Sequence, residues 1–293
     1  MRYTKDIDFV YGPDKAGIVK DVKASATYEA ASLDPYKLIL GLLQRVLEIG
    51  KHVNMQTNTP VTAVREDTVN EVWIVDTPRG SIKAQKIVHA SNAYVSTLLP
   101  EYAKSVIPCR GICTYVAVPE GKSAAKLTNL YVIRDAAGVL SYLIPHSGGT
   151  GGVVVGGSSR VFRPFREQWY NTVDDSTLIE ASNGFFDTFM QRTFHGWENS
   201  GAYVKEAWTG VMGYSFDSLP HLGEVPGKPS QYIVAGFNGH GMPVVWLAAK
   251  GIAEMIKSGK AYEDVKYLPR IGKTTAQRIQ AAQNGREGGD IFD

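Results

Sequence analysis

The chain has 293 residues, 44% of them hydrophobic, enough for one large domain or two interleaved ones with a sizeable core. Its 31 basic and 29 acidic residues leave a formal net charge of +2, which implies no nucleic-acid or membrane-surface partner. Only Cys109 and Cys113 are present, so a disulfide framework is excluded. The six histidines show no metal-ligand spacing, and no apolar run is long enough to span a bilayer. With no signal-peptide apolar region at its start, the sequence reads as a cytoplasmic protein.

Residues 1–30 are short mixed segments with turn signals at Gly12-Pro13-Asp14 and Gly17, and they form no recognisable unit. Asp34 and Pro35 then open a helix as cap and first helical residue. Leu38, Ile39, Leu42, Leu43, Val46 and Leu47 share one face of it, and Gly50 ends it. Its expected role is packing. Short strands follow over 60–64, 71–76 and 81–83, with turns at 66–70 and 78–80. They lead into an apolar strand from Lys86 that ends in the small residues Ala90-Ser91-Asn92.

Residues 105–170 read as strand-rich, with strands over 106–118, 130–134, 139–145 and 153–157. The glycines of 148–152 suit a hairpin loop better than a phosphate cradle, because no P-loop lysine follows them. Cys109 and Cys113 fall four residues apart on one strand face, too distant to bridge. Residues 174–177 are expected to start a helix carrying Leu178, Ile179, Phe185, Phe186, Phe189 and Met190, with its aromatics in the core. Alternation predicts a strand over 202–208.

The most informative stretch is Tyr232 to Ile256. It predicts an apolar strand over 232–235 and a glycine-rich turn over 236–241. A helix follows, with apolar Val244, Val245, Leu247, Ala248, Ile252 and Met255. Such a unit can aim a helix N-terminus at an anion or a polar cofactor edge, or it can be a tight turn with no ligand. Beyond Pro269 the chain reads as a polar tail, helical over 274–282 and mobile over 284–293.

Three motifs together resemble one family. Gly236-Phe-Asn-Gly-His-Gly-Met242 is similar to the C-terminal flavin-contacting segment of the FAD-dependent D-amino-acid oxidase (DAO) superfamily. Residues 208–223 fit that family's W-x-G-x-x-G-x-x-x-D-x-x-P-x-h-G pattern, and Pro108-Cys109-Arg110-Gly111 resembles its P-x-R-G. With the strand ending at Asn92, the likeness covers roughly residues 30–258 in the family's order. It implies an α+β / α/β fold: the remnant of a glutathione-reductase-type FAD domain (1–93 and 210–262), a mostly antiparallel substrate-domain sheet flanked by helices (94–209), and the tail (263–293).

The resemblance also implies FAD, held by Val61, Ser91, Asn92, Gly236, Gly239, His240, Gly241 and Met242, and hydride transfer from a C–N bond of an amine or amino acid. His146, Tyr142 and Arg110 become catalytic candidates, and Tyr115, Trp208 and His240 substrate-binding ones. For Tyr115 and Trp208, core packing is the competing expectation. His240 could instead serve turn geometry, and His146 could be a strand-end surface residue.

Three departures shape the reading. No G-x-G-x-x-G stands near the start, so the chain enters the family pattern after the ADP-binding unit, and FAD affinity is expected to suffer. His146 stands where relatives commonly carry Arg, which weighs against carboxylate capture by a guanidinium. Residues 210–216 lack the Cys of a cysteinyl-flavin link. A flavin-independent isomerase, cyclase or dehydratase reusing the pocket, and a non-catalytic partner subunit, are therefore the alternatives. An incomplete parallel sheet would leave an open edge, to be covered by residues 1–25, by a second copy in a homodimer or by a partner chain.

Overall fold

The computed structural model describes residues 7–12, 17–50, 52–146 and 152–285. In chain order the elements begin with strands β1 (Ile7–Tyr11) and β2 (Ala24–Tyr28), then helix α1 (Pro35–Ile49). Strands β3 (Ala63–Asp67), β4 (Val72–Thr77), β5 (Gly80–Ala84), β6 (Ile87–His89), β7 (Val106–Ala117), β8 (Tyr131–Arg134), β9 (Leu140–Pro145) and β10 (Val153–Gly157) follow. Next come the short helices α2 (Ser159–Phe162) and α3 (Phe189–Thr193), and then β11 (Tyr203–Ser215), β12 (His221–Glu224) and β13 (Gln231–Ala235). Helices α4 (Met242–Ser258) and α5 (Ala276–Gln283) complete the described chain. Mixed α/β architecture with largely antiparallel sheets is what the pattern implied.

The chain divides into two compact units. The first holds Met1–Met55, Gly111–Gln168 and Ser176–Thr209; the second holds Gln56–Arg110, Trp169–Asp175 and Gly210–Asp293. Residues 1–55, expected beside the FAD-domain remnant, fall in the first unit. Residues 263–285, expected as a separate tail, fall in the second.

In the first unit, β1 and β2 pair antiparallel as a hairpin sheet of their own. Residues 7–11 thus pair within this hairpin alone. Helix α1 begins as expected, with Asp34 Oδ1 accepting from the Lys37 N–H at 3.1 Å. Its apolar face, however, buries none of its residues, so the packing role is not met among the described residues.

The main sheet of this unit has the order β11-β7-β10-β9-β8. Alternation sets its two faces. Ile112, Thr114, Val116, Ser141, Leu143, Val153 and Val155 are buried on one side. Cys113, Tyr115, Tyr142, Ile144 and Val154 lie half-buried on the other. Gly157 closes β10 at φ +98°, and a Cβ there would sit 2.5 Å from the Leu140 carbonyl oxygen, so only glycine fits. The glycine loop expected over 148–152 lies, but for Gly152, outside the described residues.

The helix expected from residue 174 is not formed. Residues 174–188 carry only a 3-10 turn at Glu180–Ser182, and α3 has five residues. Asn183-Gly184, with Gly184 at φ +75°, breaks the helical path. Two of the three aromatics reach the core all the same, since Phe186 and Phe189 are buried, as is Met190, while Phe185 is half-buried. Burial rather than periodicity is what their apolar character reported.

In the second unit, β3-β4-β5 form an antiparallel meander, as expected. The other sheet has the order β12-β13-β6, with β13 antiparallel to β12 and parallel to β6. Strand β13 is buried along its whole length. Tyr232 and Val234 enter a cluster with Ala248, Ile252 and Met255 of α4 and with Tyr262, Val265 and Leu268. Ile233 and Ala235 enter a second cluster with Val95, Leu99, Tyr102 and Val106. A strand covered on both faces reads as a continuous apolar run, which is why it was easy to find. Among the described residues, β6 pairs on one side only, with β13.

The expected tail helix forms as α5, and it is tied in rather than free. Arg278 grips Asp217 with two bonds, Nε to Oδ2 at 2.6 Å and Nη2 to Oδ1 at 2.8 Å. It also donates to the carbonyls of Leu219, Pro220 and Lys273. Burial alone would raise the Asp217 carboxyl, but Arg278 outweighs it and holds it below the usual range. Arg278→Met is expected to lower the unfolding free energy by about 2 kcal/mol, because it strands a partly buried carboxylate and three carbonyls. A shift of the urea midpoint at unchanged slope checks this.

Candidate functional site

Two places carry the candidate residues, one in each unit. In the second unit, β13 runs into the turn over 236–241 and then α4. Gly236 at φ +77° and Gly239 at φ +72° allow the turn. Two asparagines fix it. Asn92, at φ +48° just past β6, accepts from the Gly236 N–H at 2.9 Å and the Phe237 N–H at 3.4 Å through Oδ1. Asn238, at φ +56°, accepts from the Ser215 N–H at 2.8 Å, donates to the Gly236 carbonyl at 2.8 Å, and sends its own N–H to the Gly213 carbonyl at 2.9 Å. Sequence reasoning placed Asn92 beside the cofactor and passed over Asn238. Both hold the turn in place. Asn within a glycine-rich turn was the signal, since Asn tolerates left-handed backbone.

His240 is exposed, with Nδ1 2.9 Å from the Asn238 carbonyl, a contact that serves the turn. Gly241 stands at the N-cap of α4 with no side-chain cap, and Met242 and Trp246 are exposed beside it. Pro243 has no N–H, and the Val244 and Val245 N–H groups bond the Gly241 carbonyl at 2.9 and 2.8 Å, so the Met242 N–H is the donor that this helix start presents without a side-chain acceptor. That suits an electron-rich ligand edge at the positive end of the helix dipole. Gly241 is required for packing too, because a Cβ there would meet the Phe237 Cβ at 2.9 Å. Ser91 is exposed, and Val61 lies half-buried just before β3. A cavity of about 500 Å³ opens beside the turn, lined by Tyr214, Leu219, Phe237, Asn238, His240 and Val244 among others. The backbone here fits the polar edge of a flavin ring.

In the first unit, a cavity of about 380 Å³ lies on the half-open sheet face, lined by Tyr115, His146, Val154, Glu206 and Trp208. The lining comes from four adjacent strands: β11 supplies Glu206 and Trp208, β7 Tyr115, β10 Val154, and the end of β9 His146. Tyr115 stands directly opposite Val154. Its ring meets that of His146 edge-on, with centroids 5.9 Å apart and planes at 78°. The His146 N–H bonds the Gly152 carbonyl at 2.9 Å. Trp208 is 42% exposed, so it is not a core residue, and the packing expectation for it is corrected.

Tyr142 shares this sheet face outside the cavity wall. It lies over Gly156, where a Cβ would come 2.6 Å from its ring, and its hydroxyl is 3.2 Å from Cys113 Sγ. Burial pushes the Cys113 thiol above its ordinary range. Arg110, expected to join the pocket, does not. It belongs to the second unit, is 8% exposed, and donates from Nη1 to the Asp174 carbonyl at 3.0 Å. Its position explains this, because 110 alternates with 113 and 115 along the strand. Glu206 was missed, although its i, i+2 relation to Trp208 could have found it.

Among the described residues, no cluster of His, Cys, Asp or Glu could hold a metal, and no helix is long and apolar enough to cross a membrane. Residues 13–255 match the family described as FAD dependent oxidoreductase (DAO). Gamma-glutamylputrescine oxidoreductase of Escherichia coli (strain K12) is 24% identical over 284 residues, covering 89% of this chain and 58% of that protein. L-proline dehydrogenase from P. horikoshii superposes with a TM-score of 0.67 at 18% identity, over 89% of this chain and 66% of that one. Glycine oxidase from Bacillus cereus ATCC 14579 gives a TM-score of 0.67 at 16% identity, over 90% and 67%. The structural likenesses speak for the fold, and the chain spans 58% of the length of the curated relative. With the strand order and the anchored glycine turn, the match over residues 13–255 establishes that the chain belongs to the DAO family of FAD-dependent oxidoreductases.

Proposed function

We propose that this chain serves the FAD-dependent oxidation of a C–N bond in an amine or amino acid. The observation that carries the reading is the 236–241 turn, pinned by Asn92 and Asn238 and opening on an α4 N-terminus without a side-chain cap. Gly236, Gly239, Gly241 and Met242 would hold the flavin through backbone atoms, with Ser91 nearby in the same unit. FAD, when bound, supplies the hydride acceptor. The chain's own contribution is orientation. The α4 N-terminus favours negative charge. In the first unit, Tyr115, Val154 and Trp208 give a small substrate an apolar wall, with the His146 imidazole at its edge as a candidate acid or base. Substrates of the relatives named above, amines and amino acids, agree with this class.

The visible absorption spectrum of the purified protein, before and after titration with FAD, tests the reading. Saturable perturbation of the flavin bands, followed by their bleaching when an amine substrate is added without oxygen, is the expected outcome. A protein that never perturbs the flavin spectrum would remove the redox reading for this chain. A non-redox enzyme is the second reading, favoured by the imidazole of His146 at a cavity in the first unit. That reading predicts turnover without flavin that is lost in His146→Ala. A second copy or a partner chain against β6 or α1 belongs to the same proposal, with light scattering as its readout.

A further inference from the structure

We infer that the cavity of the first unit recognises a cationic alkylammonium group, with Glu206 as counter-ion and Trp208 and Tyr115 as aromatic walls. The inference rests on the amine-oxidising reading above and narrows its substrate class from amines and amino acids to amines whose bound end is positively charged. Its basis is the charge and chemistry of the lining. Glu206 is the one formally charged side chain among Tyr115, His146, Val154, Glu206 and Trp208. It is exposed and has no hydrogen bond or ion pair to any described residue. Among the described residues, no lysine or arginine lines the space. The arginine expected there, Arg110, is buried in the other unit against the Asp174 carbonyl.

A substrate carboxylate would therefore face a carboxylate with no guanidinium to receive it, whereas an ammonium would meet complementary charge. The aromatic side chains act in the same direction. Glu206 and Trp208 stand at i and i+2 on β11, pointing to one face, and Tyr115 follows on the neighbouring β7. A cation held over an indole or phenol face gains from the ring quadrupole, and the gain grows as the site is desolvated. Tyr115 is kept upright by its edge-on contact with His146 and by Gly152 beneath it, where any Cβ would strike the Tyr115 ring. Val154 supplies an apolar floor for a methylene chain. A cavity of about 380 Å³ lies within the usual range for small ligands.

The experiment is a calorimetric titration of the full chain with 1,4-diaminobutane, with 1,4-butanediol as the neutral isostere and succinate as the anionic one. Diamine is expected to bind saturably and at least about five-fold more tightly than either comparison compound. Glu206→Gln and Trp208→Leu should each weaken diamine binding by about three- to ten-fold and leave the far-UV spectrum unchanged, since both side chains are exposed. Preference for succinate, indifference of diamine affinity to Glu206→Gln, or no saturable diamine binding by the folded chain would each overturn the inference. Binding is read directly and needs no flavin. A chain that binds diamine but never perturbs FAD leaves this inference standing while the redox reading falls; the converse separates them the other way.

Discussion

Replacing Asn92 by Ala should lower the unfolding free energy by about 3 kcal/mol and weaken flavin binding with it. Two costs add. The Gly236 N–H, buried at the end of β13, loses its acceptor 2.9 Å away, and an unsatisfied buried donor costs about 1–3 kcal/mol. Alanine must also adopt the left-handed backbone that Asn92 holds at φ +48°, which costs roughly 1 kcal/mol more. Asn92→Asp is the discriminating control. It keeps the acceptor and tolerates the backbone, so its loss should stay near 1 kcal/mol or below. Gly213 belongs to the same arrangement, because a Cβ there would sit 2.7 Å from Asn92 Oδ1. Urea titration of the three proteins, paired with FAD absorbance, measures both effects. Equal stability for wild type and Asn92→Ala would mean the turn does not depend on this asparagine.

Acid should destabilise the second unit well above the range in which carboxylates titrate. His221 on β12 is 1% exposed, edge-on to Tyr102, with Nδ1 3.1 Å from Thr274 Oγ1. Burial lowers its pKa to about 4, and the positive charge of Arg278 adds to the effect. The unfolded chain binds this proton near pH 6.5 and the folded chain only near pH 4, so stability is full above the unfolded pKa and falls as pH drops between the two. At 1.36 kcal/mol per unit, the loss by pH 4 is about 3 kcal/mol. His89, buried and 2.7 Å from Gln231 Oε1, is also lowered by burial and acts in the same direction. Below this window the Asp217 carboxyl, held low by Arg278, begins to protonate and adds its own loss. Thermal melts from pH 7 to pH 4 should show the decline, and His221→Gln should flatten it. An unchanged pH slope in that variant would assign the acid response to other groups.

Much of this architecture was legible in the residues because the strongest signals were local. The apolar run of β13, the glycine turn and the amphipathic α4 lie within 25 consecutive residues, and each obeys a short-range rule. The meander of β3, β4 and β5 was readable for the same reason. What escaped depends on long-range geometry. Arg110 lies in a family-like motif, yet the parity of its strand turns it away from the face that holds Tyr115. Glu206 looked like an ordinary charged residue until β11 was set beside β7. The aromatics of 185–190 signalled burial and were mistaken for helical periodicity, which Asn183-Gly184 interrupts. The hairpin of β1 and β2 carries Phe9, Tyr11 and Tyr28 exposed, so it offers no buried alternation to read.

Helix α1 has a consequence for the dynamics of the chain. A helix of 15 residues is marginal on propensity alone, and most helices are held by the burial of one face. In α1 that face, including Ile39, Val46 and Leu47, remains in water. Its backbone hydrogen bonds are therefore protected by little more than the Asp34 cap and the helix's own cooperativity. In amide hydrogen exchange α1 should open far more often than α4, whose Ala248, Ile252 and Met255 are locked into the core, and it should exchange as a unit independent of global unfolding.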